Sequence, residues 1–396
     1  MTMTPELDPA ALKAEASRRT GLTDFGAPDF EEPLAIVCRS LTEEAPLSAD
    51  GRKAAAERTI SGLIERLKLQ QWFGLHPEIA DEEIRAPLVI AGLPRTGTTL
   101  LYRMLSAAEG FAAPLFYEVS QPAPAPDWNF DPEDDRRIPA AEQAVKAMMA
   151  AMPELASIYP FEAHAPEESI FMYGVSFRST REQSNALVPT YNDWFRDADK
   201  RPAYAYLKRN LQLLQWQRKR SGRWPGHQRW LLKTPDHLHG LEELLAEFPG
   251  AQIIQTHRDP VQTIPSICSF IRVLHAPNTA RDDSIDIGHA WSAMFAASMI
   301  RAMDVRDRHP ASFLDIQYRD TVADPRGVAE RIFAFVGQPL TEAAWTEMES
   351  WRDANKREDR PAHHYTLEEF GLTEAGVKAQ FAAYRERFIL AEGVRA

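Results

Sequence analysis

Gly92, Pro94, Arg95, Thr96, Gly97, Thr98 and Thr99 fall in one stretch, LVIAGLPRTGTTLLYRML, from Leu88 to Leu105. Four residues separate Gly92 from Gly97, the spacing of a Walker A loop, G-x4-G-K-[ST]. Glycines at those places let backbone N–H groups curl round an anion, and a helix starting at Thr98 adds its positive end. The hydroxyls of Thr98 and Thr99 suit phosphate oxygens. Thr98, however, stands where the Walker lysine would be, and the cation sits inside the loop as Arg95. That lysine reaches the β- and γ-phosphates of a nucleoside triphosphate. Its loss weakens a kinase or NTPase reading but leaves the anion site. A ligand-free strand-to-helix turn is the plainer alternative, and an arginine and two threonines in one tight turn argue against it.

A second stretch, IIQTHRDPVQTIPSICSF, runs from an apolar strand through Arg258-Asp259-Pro260 into a helix. Ser266 follows Arg258 by eight positions. An arginine at the carboxyl end of a strand can clamp a phosphate dianion bidentately. The intervening turn must then bring the Ser266 hydroxyl back to the same anion. Taken alone, Arg258-Asp259 could equally be a surface ion pair.

With both motifs in this order, the chain resembles sulfotransferases that use 3′-phosphoadenosine 5′-phosphosulfate (PAPS). GLPRTGTTLL resembles their 5′-phosphosulfate loop, and Arg258 with Ser266 resembles their 3′-phosphate motif. WLLKTPDHL and FLDIQYRDTVADP resemble two further strand segments, and HHYTLEEFGL resembles a C-terminal segment of the bacterial branch. The likeness spans roughly residues 86–390 and is weak over 120–225. It implies a P-loop-like fold, PAPS as donor, 3′,5′-diphosphoadenosine as product, a hydroxyl acceptor and no metal. It also implies that a basic C-terminal segment reaches the 3′-phosphate, which points to Lys356 and Arg357, although a solvent-facing role fits them as well.

Sulfuryl transfer needs an acceptor stripped of its proton, an aligned sulfuryl group and a stabilised leaving oxygen. Positioning and electrostatics carry most of the related phosphoryl chemistry. Arg95 and Lys233 supply positive charge. Lys233 ends an apolar strand, so its amine is expected in the crevice above the sheet; a solvent lysine is the alternative. Two residues compete as the base. Related enzymes with an arginine loop place a glutamate after the loop helix, which points to Glu118. Its neighbours Phe116, Tyr117 and Val119 are apolar, and desolvation there would raise its pKa. Pairing with an arginine is the other reading of Glu118. His237 is the rival, since cytosolic relatives use a histidine two residues after the lysine. Here that position is Pro235. Thr234 reads as an N-cap and Pro235 as the first helical residue, with His237 in the first turn near the crevice or facing solvent.

The elements that must position these groups are legible as alternating strands and helices. Strand signals fall at Leu88–Ala91, Trp230–Leu232, Ile253–Thr256 and Phe313–Ile316. Helical faces appear at Ile60, Leu63, Ile64 and Leu67, at Leu100, Leu101, Met104 and Leu105, and at Tyr204, Leu207, Leu211 and Leu214. Val377, Phe381, Tyr384 and Phe388 mark a closing helix. The expected fold is α/β, a three-layer P-loop-like arrangement on a central parallel sheet of about five strands. Residues 1–86 form a helical N-terminal extension. Residues 87–396 form the α/β domain, with a substrate-side insert at about 120–225. That insert carries Trp128, Phe130, Tyr159, Phe161, Phe171, Tyr173 and Phe177, which would line an apolar acceptor pocket or simply fill a core.

The 396 residues are 44% hydrophobic with a net charge of -12. No basic run appears, which argues against a nucleic-acid partner. Cys38 and Cys268 cannot build a disulfide framework and fit a reducing compartment. No apolar run approaches the roughly 20 residues of a membrane span, and no secretory h-region is visible. The expectation is a soluble cytoplasmic enzyme acting on a small-molecule or lipid-like hydroxyl, with a homodimer as the default. The histidines offer no metal spacing. A non-catalytic protein that keeps the nucleotide pocket is the remaining alternative.

Overall fold

A computed structural model describes residues 7–159, 161–355 and 365–391. Its centre is a parallel sheet of β1 (Leu88–Gly92), β2 (Phe111–Ala112), β3 (Arg229–Lys233), β4 (Gln252–His257) and β5 (Phe313–Gln317). The order across the sheet is β2-β3-β1-β4-β5, and every pairing is parallel. The expected strands are all present. β2 is added, two residues long and too short to leave a pattern in the sequence.

Both faces of the sheet are covered, which is why the strands read as continuous apolar runs. Leu88, Ile90, Leu231, Ile254 and Ile316 face one way, into a cluster with Leu101, Met104 and Leu105. Those last three lie on α4 (Thr98–Ser106), and the helix at Pro325–Phe335 packs on the same side. Val89, Ala91, Trp230, Leu232 and Ile253 face the other way. They meet the helices Arg201–Arg220, Pro260–His275 and Ser284–Arg308. The alternation follows from the pleat.

From β1 the chain crosses to the edge strand β2, returns inward to β3, and then crosses β1 to start β4 on the other side. This switch opens a crevice at the carboxyl ends of the strands. Register decides what meets there: Ile90 pairs with Lys233, and Gly92 pairs with Thr256. The glycine loop, Lys233 and Arg258 therefore leave the sheet at one edge.

The N-terminal helices are α1 (Pro9–Thr20), α2 (Glu31–Glu43) and α3 (Ala49–Leu75). Ser48 caps α3 by accepting from Gly51 N–H at 2.9 Å. Ile60, Leu63 and Leu67 join a cluster that also takes Phe177, Val188, Tyr191 and Phe195 from the insert. The closing helix differs from expectation. Val377, Phe381, Tyr384 and Phe388 are buried as expected. Val377 lies, however, on Glu374–Gln380, Phe381 at the junction after it, Tyr384 on Ala382–Arg385 and Phe388 on a π-helical turn at Glu386–Leu390. The wider turn shifts the register of Phe388 and lets its ring stack on His257 at 4.3 Å. Among the described residues no helix is long and apolar enough to cross a membrane.

Gly288, on Ser284–Arg308, sets how closely the C-terminal segment docks. A Cβ there would lie 2.0 Å from the Phe370 carbonyl oxygen. Gly288→Ala should lower stability by about 1–3 kcal/mol, read as a lower urea midpoint; an unchanged midpoint would show that the two segments part without cost.

Candidate active site

The loop after β1 is shaped by close approach. A Cβ on Gly92 would lie 2.3 Å from Thr256 Oγ1, so only glycine lets β1 and β4 run this near. Gly97 has φ +83°, and its absent Cβ would meet Tyr318 at 2.7 Å. Thr96 locks the turn by donating to the Leu93 carbonyl at 2.7 Å, with its hydroxyl 2.6 Å from that of Thr256. α4 then starts at Thr98, leaving its first-turn N–H groups directed into the loop.

Arg95 itself adopts φ 68°, a left-handed conformation uncommon outside glycine. That turn sends its side chain across the crevice. Its Nε donates to Ser266 Oγ at 3.1 Å, and its NH1 donates to the Ile158 carbonyl at 3.0 Å. Arg258 NH1 in turn donates to the Arg95 carbonyl at 3.2 Å and stacks over Tyr318 at 4.4 Å. The two motifs, 171 residues apart between Arg95 and Ser266, thus close into one cationic patch.

The residues flanking Arg258 are anchored from behind. Asp259 caps the next helix through Val261 N–H at 3.1 Å and pairs with Arg385 at 2.9 Å. His257 sits between Asp315, at 2.9 Å, and Tyr384, at 3.2 Å. The C-terminal turns therefore hold both neighbours of Arg258.

Lys233 emerges from β3 into the crevice as expected, with none of its side chain exposed. Its amine lies 2.6 Å from Glu168, 3.3 Å from Thr99 and 3.4 Å from the Tyr159 hydroxyl. Glu168 also accepts from Thr234 at 2.9 Å. Its neighbour Glu167 accepts the Tyr159 hydroxyl at 2.6 Å, and its other oxygen is buried without a partner. Burial, together with nearby Glu168, raises the Glu167 carboxyl above its ordinary range against the opposing pull of Lys233. Neither carboxylate stood out in the sequence. The visible signal was a Glu-Glu pair in an aperiodic insert. Main-chain bonds carry it to the crevice: Glu167 N–H to the Pro114 carbonyl at 2.9 Å and Ser169 N–H to the Lys233 carbonyl at 3.1 Å.

The crevice thus brings Arg95, Arg258 and Lys233 together with the Glu167-Glu168 pair. Residues 87–342 match the family described as the sulfotransferase family. The chain belongs to the sulfotransferase family. It is similar, at 23% identity over 263 residues, to the omega-hydroxy-beta-dihydromenaquinone-9 sulfotransferase Stf3 of Mycobacterium tuberculosis and Mycobacterium bovis. That match takes in 63% of this chain and spans 62% of those relatives' length. Similarity of structure extends further. Sulfotransferase STF1 from Mycobacterium tuberculosis is 28% identical with a TM-score of 0.83, over 96% of this chain and 100% of that one. Sulfotransferase STF9 from Mycobacterium avium is 26% identical with a TM-score of 0.85, over 98% and 97%.

The expectations for the two candidate bases need correction. Glu118 was expected to carry a raised pKa. Burial does push it up, but Arg218 outweighs burial through its charge and its hydrogen bonds, at 2.5 and 3.1 Å. Leu115 N–H at 2.9 Å adds to this, and the carboxyl is held below its ordinary value. Glu118 is thus one half of a buried ion pair at the start of Phe116–Ser120.

His237 was expected in the first turn near the crevice or in solvent. Thr234 does cap the turn, accepting from Asp236 N–H at 3.3 Å. The imidazole is wholly buried, between the Ser169 hydroxyl at 2.9 Å and the Tyr204 hydroxyl at 3.1 Å. Burial pushes its pKa down to about 3, so it is neutral at working pH and braces the Glu168 segment. Lys356 and Arg357 lie outside the described residues. Among the described residues no cluster of three His, Cys, Asp or Glu could hold a metal ion.

Because the folded pKa of Glu118 is depressed, its stabilising contribution is present above the unfolded value of about 4.3 and is lost as pH falls through the folded value. Glu118→Gln should therefore destabilise the protein at neutral pH by about 3–5 kcal/mol. The gap to the unsubstituted protein should narrow as pH falls below about 4, in urea titrations across that range. A gap independent of pH would rule out an ionised Glu118.

Proposed function

We propose that this protein transfers the sulfuryl group of PAPS to a hydroxyl of a small-molecule or lipid-like acceptor, releasing 3′,5′-diphosphoadenosine. The observation that carries the reading is the bonding of Arg95 to Ser266 and of Arg258 to the Arg95 carbonyl. It joins a 5′-type anion loop to a 3′-phosphate pair across one crevice, as a doubly phosphorylated adenosine requires and ATP does not. The lipid-like acceptor rests on the relative that is named for a hydroxylated menaquinone and on the aromatic residues of the insert.

In this reading Gly92, Pro94, Thr96, Gly97, Thr98 and Thr99 form the cradle for the phosphosulfate. Arg258 and Ser266 hold the 3′-phosphate. Glu168 is the base: it lies beside Lys233 at 2.6 Å and is part-exposed. Glu167, sealed against Tyr159, keeps that hydroxyl and the neighbouring backbone in place. The acceptor oxygen bonds to sulfur as the bond from sulfur to the bridging phosphate oxygen breaks. Glu168 takes the hydroxyl proton, and Lys233 and Arg95 neutralise the charge that develops on the departing oxygen.

Calorimetry with 3′,5′-diphosphoadenosine and with ATP, each with and without Mg²⁺, tests the donor. Metal-independent preference for the diphosphate should appear and should fall at least about tenfold in Arg258→Ala. Preference for Mg-ATP would replace this reading with a kinase. For the base, Glu168→Gln should lower kcat by about 10²–10⁴-fold with diphosphate affinity retained. Glu118→Gln should lose activity only as it loses folded protein. If Glu168→Gln kept full turnover and Glu118→Gln did not, the assignment would pass to Glu118.

A further inference from the structure

A cavity of about 180 Å³ lies between α3, the helix Arg201–Arg220 and the insert. Phe171, Met172 and Val175 form its apolar wall, and Glu65, Arg181 and Asn210 supply polar groups. Its position relates it to the crevice. Phe171 follows Glu168 by three residues, and its ring lies 6.4 Å from that of Phe161. Phe161 lies 4.8 Å from Tyr159, whose hydroxyl contacts both Glu167 and Lys233. A line of aromatic rings thus leads from the reacting groups to the cavity.

The polar groups are incompletely satisfied. Arg181 makes no side-chain hydrogen bond or ion pair with any described residue; Glu182 attracts it and the like charge of Arg58 repels it. Glu65 accepts from Lys68 at 3.0 Å through one oxygen, while the other is buried with no partner. Arg181 is half-buried, so its guanidinium is open to a partner that enters the cavity, and a carboxylate there would satisfy its fork. Gly174 leaves room for the Arg181 stem, since a Cβ there would lie 2.9 Å from Arg181 Cδ.

We propose that this cavity receives the far end of the acceptor, an apolar segment ending in a carboxylate that Arg181 binds through its guanidinium. The inference rests on the sulfotransferase reading for what lies at the other end of that molecule. A carboxylate fits the planar fork bidentately. Glu182 beside Arg181 opposes a dianion such as a phosphate monoester more than a singly charged carboxylate. The acceptor is then an elongated hydroxy acid, its hydroxyl toward Glu168 and its acid group toward Arg181.

The test is calorimetric binding of ω-hydroxy alkanoates of graded length, with the α,ω-diols of the same lengths, to the full chain saturated with 3′,5′-diphosphoadenosine. At the best length the acid should bind about ten- to a hundredfold more tightly than the diol. Arg181→Met should remove that preference, leave the diol's affinity unchanged and leave nucleotide binding intact; Arg181→Lys should restore part of it. If Arg181→Met does not fold, Gly174→Ala, which displaces the Arg181 stem, should reduce the same preference. Equal binding of acid and diol, binding of neither, or a preference that survives loss of the guanidinium would overturn the proposal. Acid preference without any affinity for 3′,5′-diphosphoadenosine would instead overturn the sulfotransferase reading and leave the carboxylate site standing.

Discussion

The left-handed turn at Arg95 is the constraint on which the site depends. A non-glycine residue held at such an angle costs about 1–3 kcal/mol, and its neighbours hold it there. Arg258 binds its carbonyl, while Ser266 and the Ile158 carbonyl take its guanidinium. One residue thereby ties the loop after β1, the end of β4, the helix Pro260–His275 and the insert into a single cationic surface. Glycine at Gly92 and Gly97 is the companion requirement. Either Cβ would press on Thr256 or Tyr318 and push apart the elements that Arg95 joins.

Charge is distributed unevenly around that surface. The chain as a whole is acidic, at -12, so affinity for an anion has to come from cations gathered locally. Arg95, Lys233 and Arg258 are gathered by register: Lys233 at the end of β3 lies beside Ile90, and Gly92 at the end of β1 lies beside Thr256. Other buried ionic groups serve the frame. Arg218 neutralises Glu118 beneath the loop helix, and Arg385 and Asp315 fix the residues on either side of Arg258. Removing one member of such a pair leaves an uncompensated charge, which is why buried pairs constrain geometry strongly even where their net contribution to stability is small.

The insert does two jobs with one segment. Its residues from Ala163 to Ser169 bond along the Pro114–Tyr117 segment and the end of β3, extending the edge of the crevice. This carries Glu167 and Glu168 to Lys233. The following residues, Phe171 to Val175, turn away to wall the cavity that contains Arg181. The carboxylates beside Lys233 and the cavity wall are therefore adjacent in the chain, and the buried His237 between Ser169 and Tyr204 keeps their relative position.

Sequence alone determined whatever is set by local pattern. Strands buried on both faces announce themselves as apolar runs, and glycine spacing with Arg95 announces an anion loop. The interval from Arg258 to Ser266 and the place of Lys233 at a strand end need only the geometry of a strand, a turn and a helix. Tertiary structure decided everything that depends on distant partners. Glu118 looked like a desolvated base because Arg218, which lowers its pKa, lies 100 residues away. His237 looked accessible because its lids, Ser169 and Tyr204, belong to other elements. Glu167 and Glu168 carried no periodic signal, and only the bonds to Pro114 and Lys233 bring them to the crevice. A side chain's type and spacing are properties of the chain, whereas its pKa and accessibility come from the groups that fold around it.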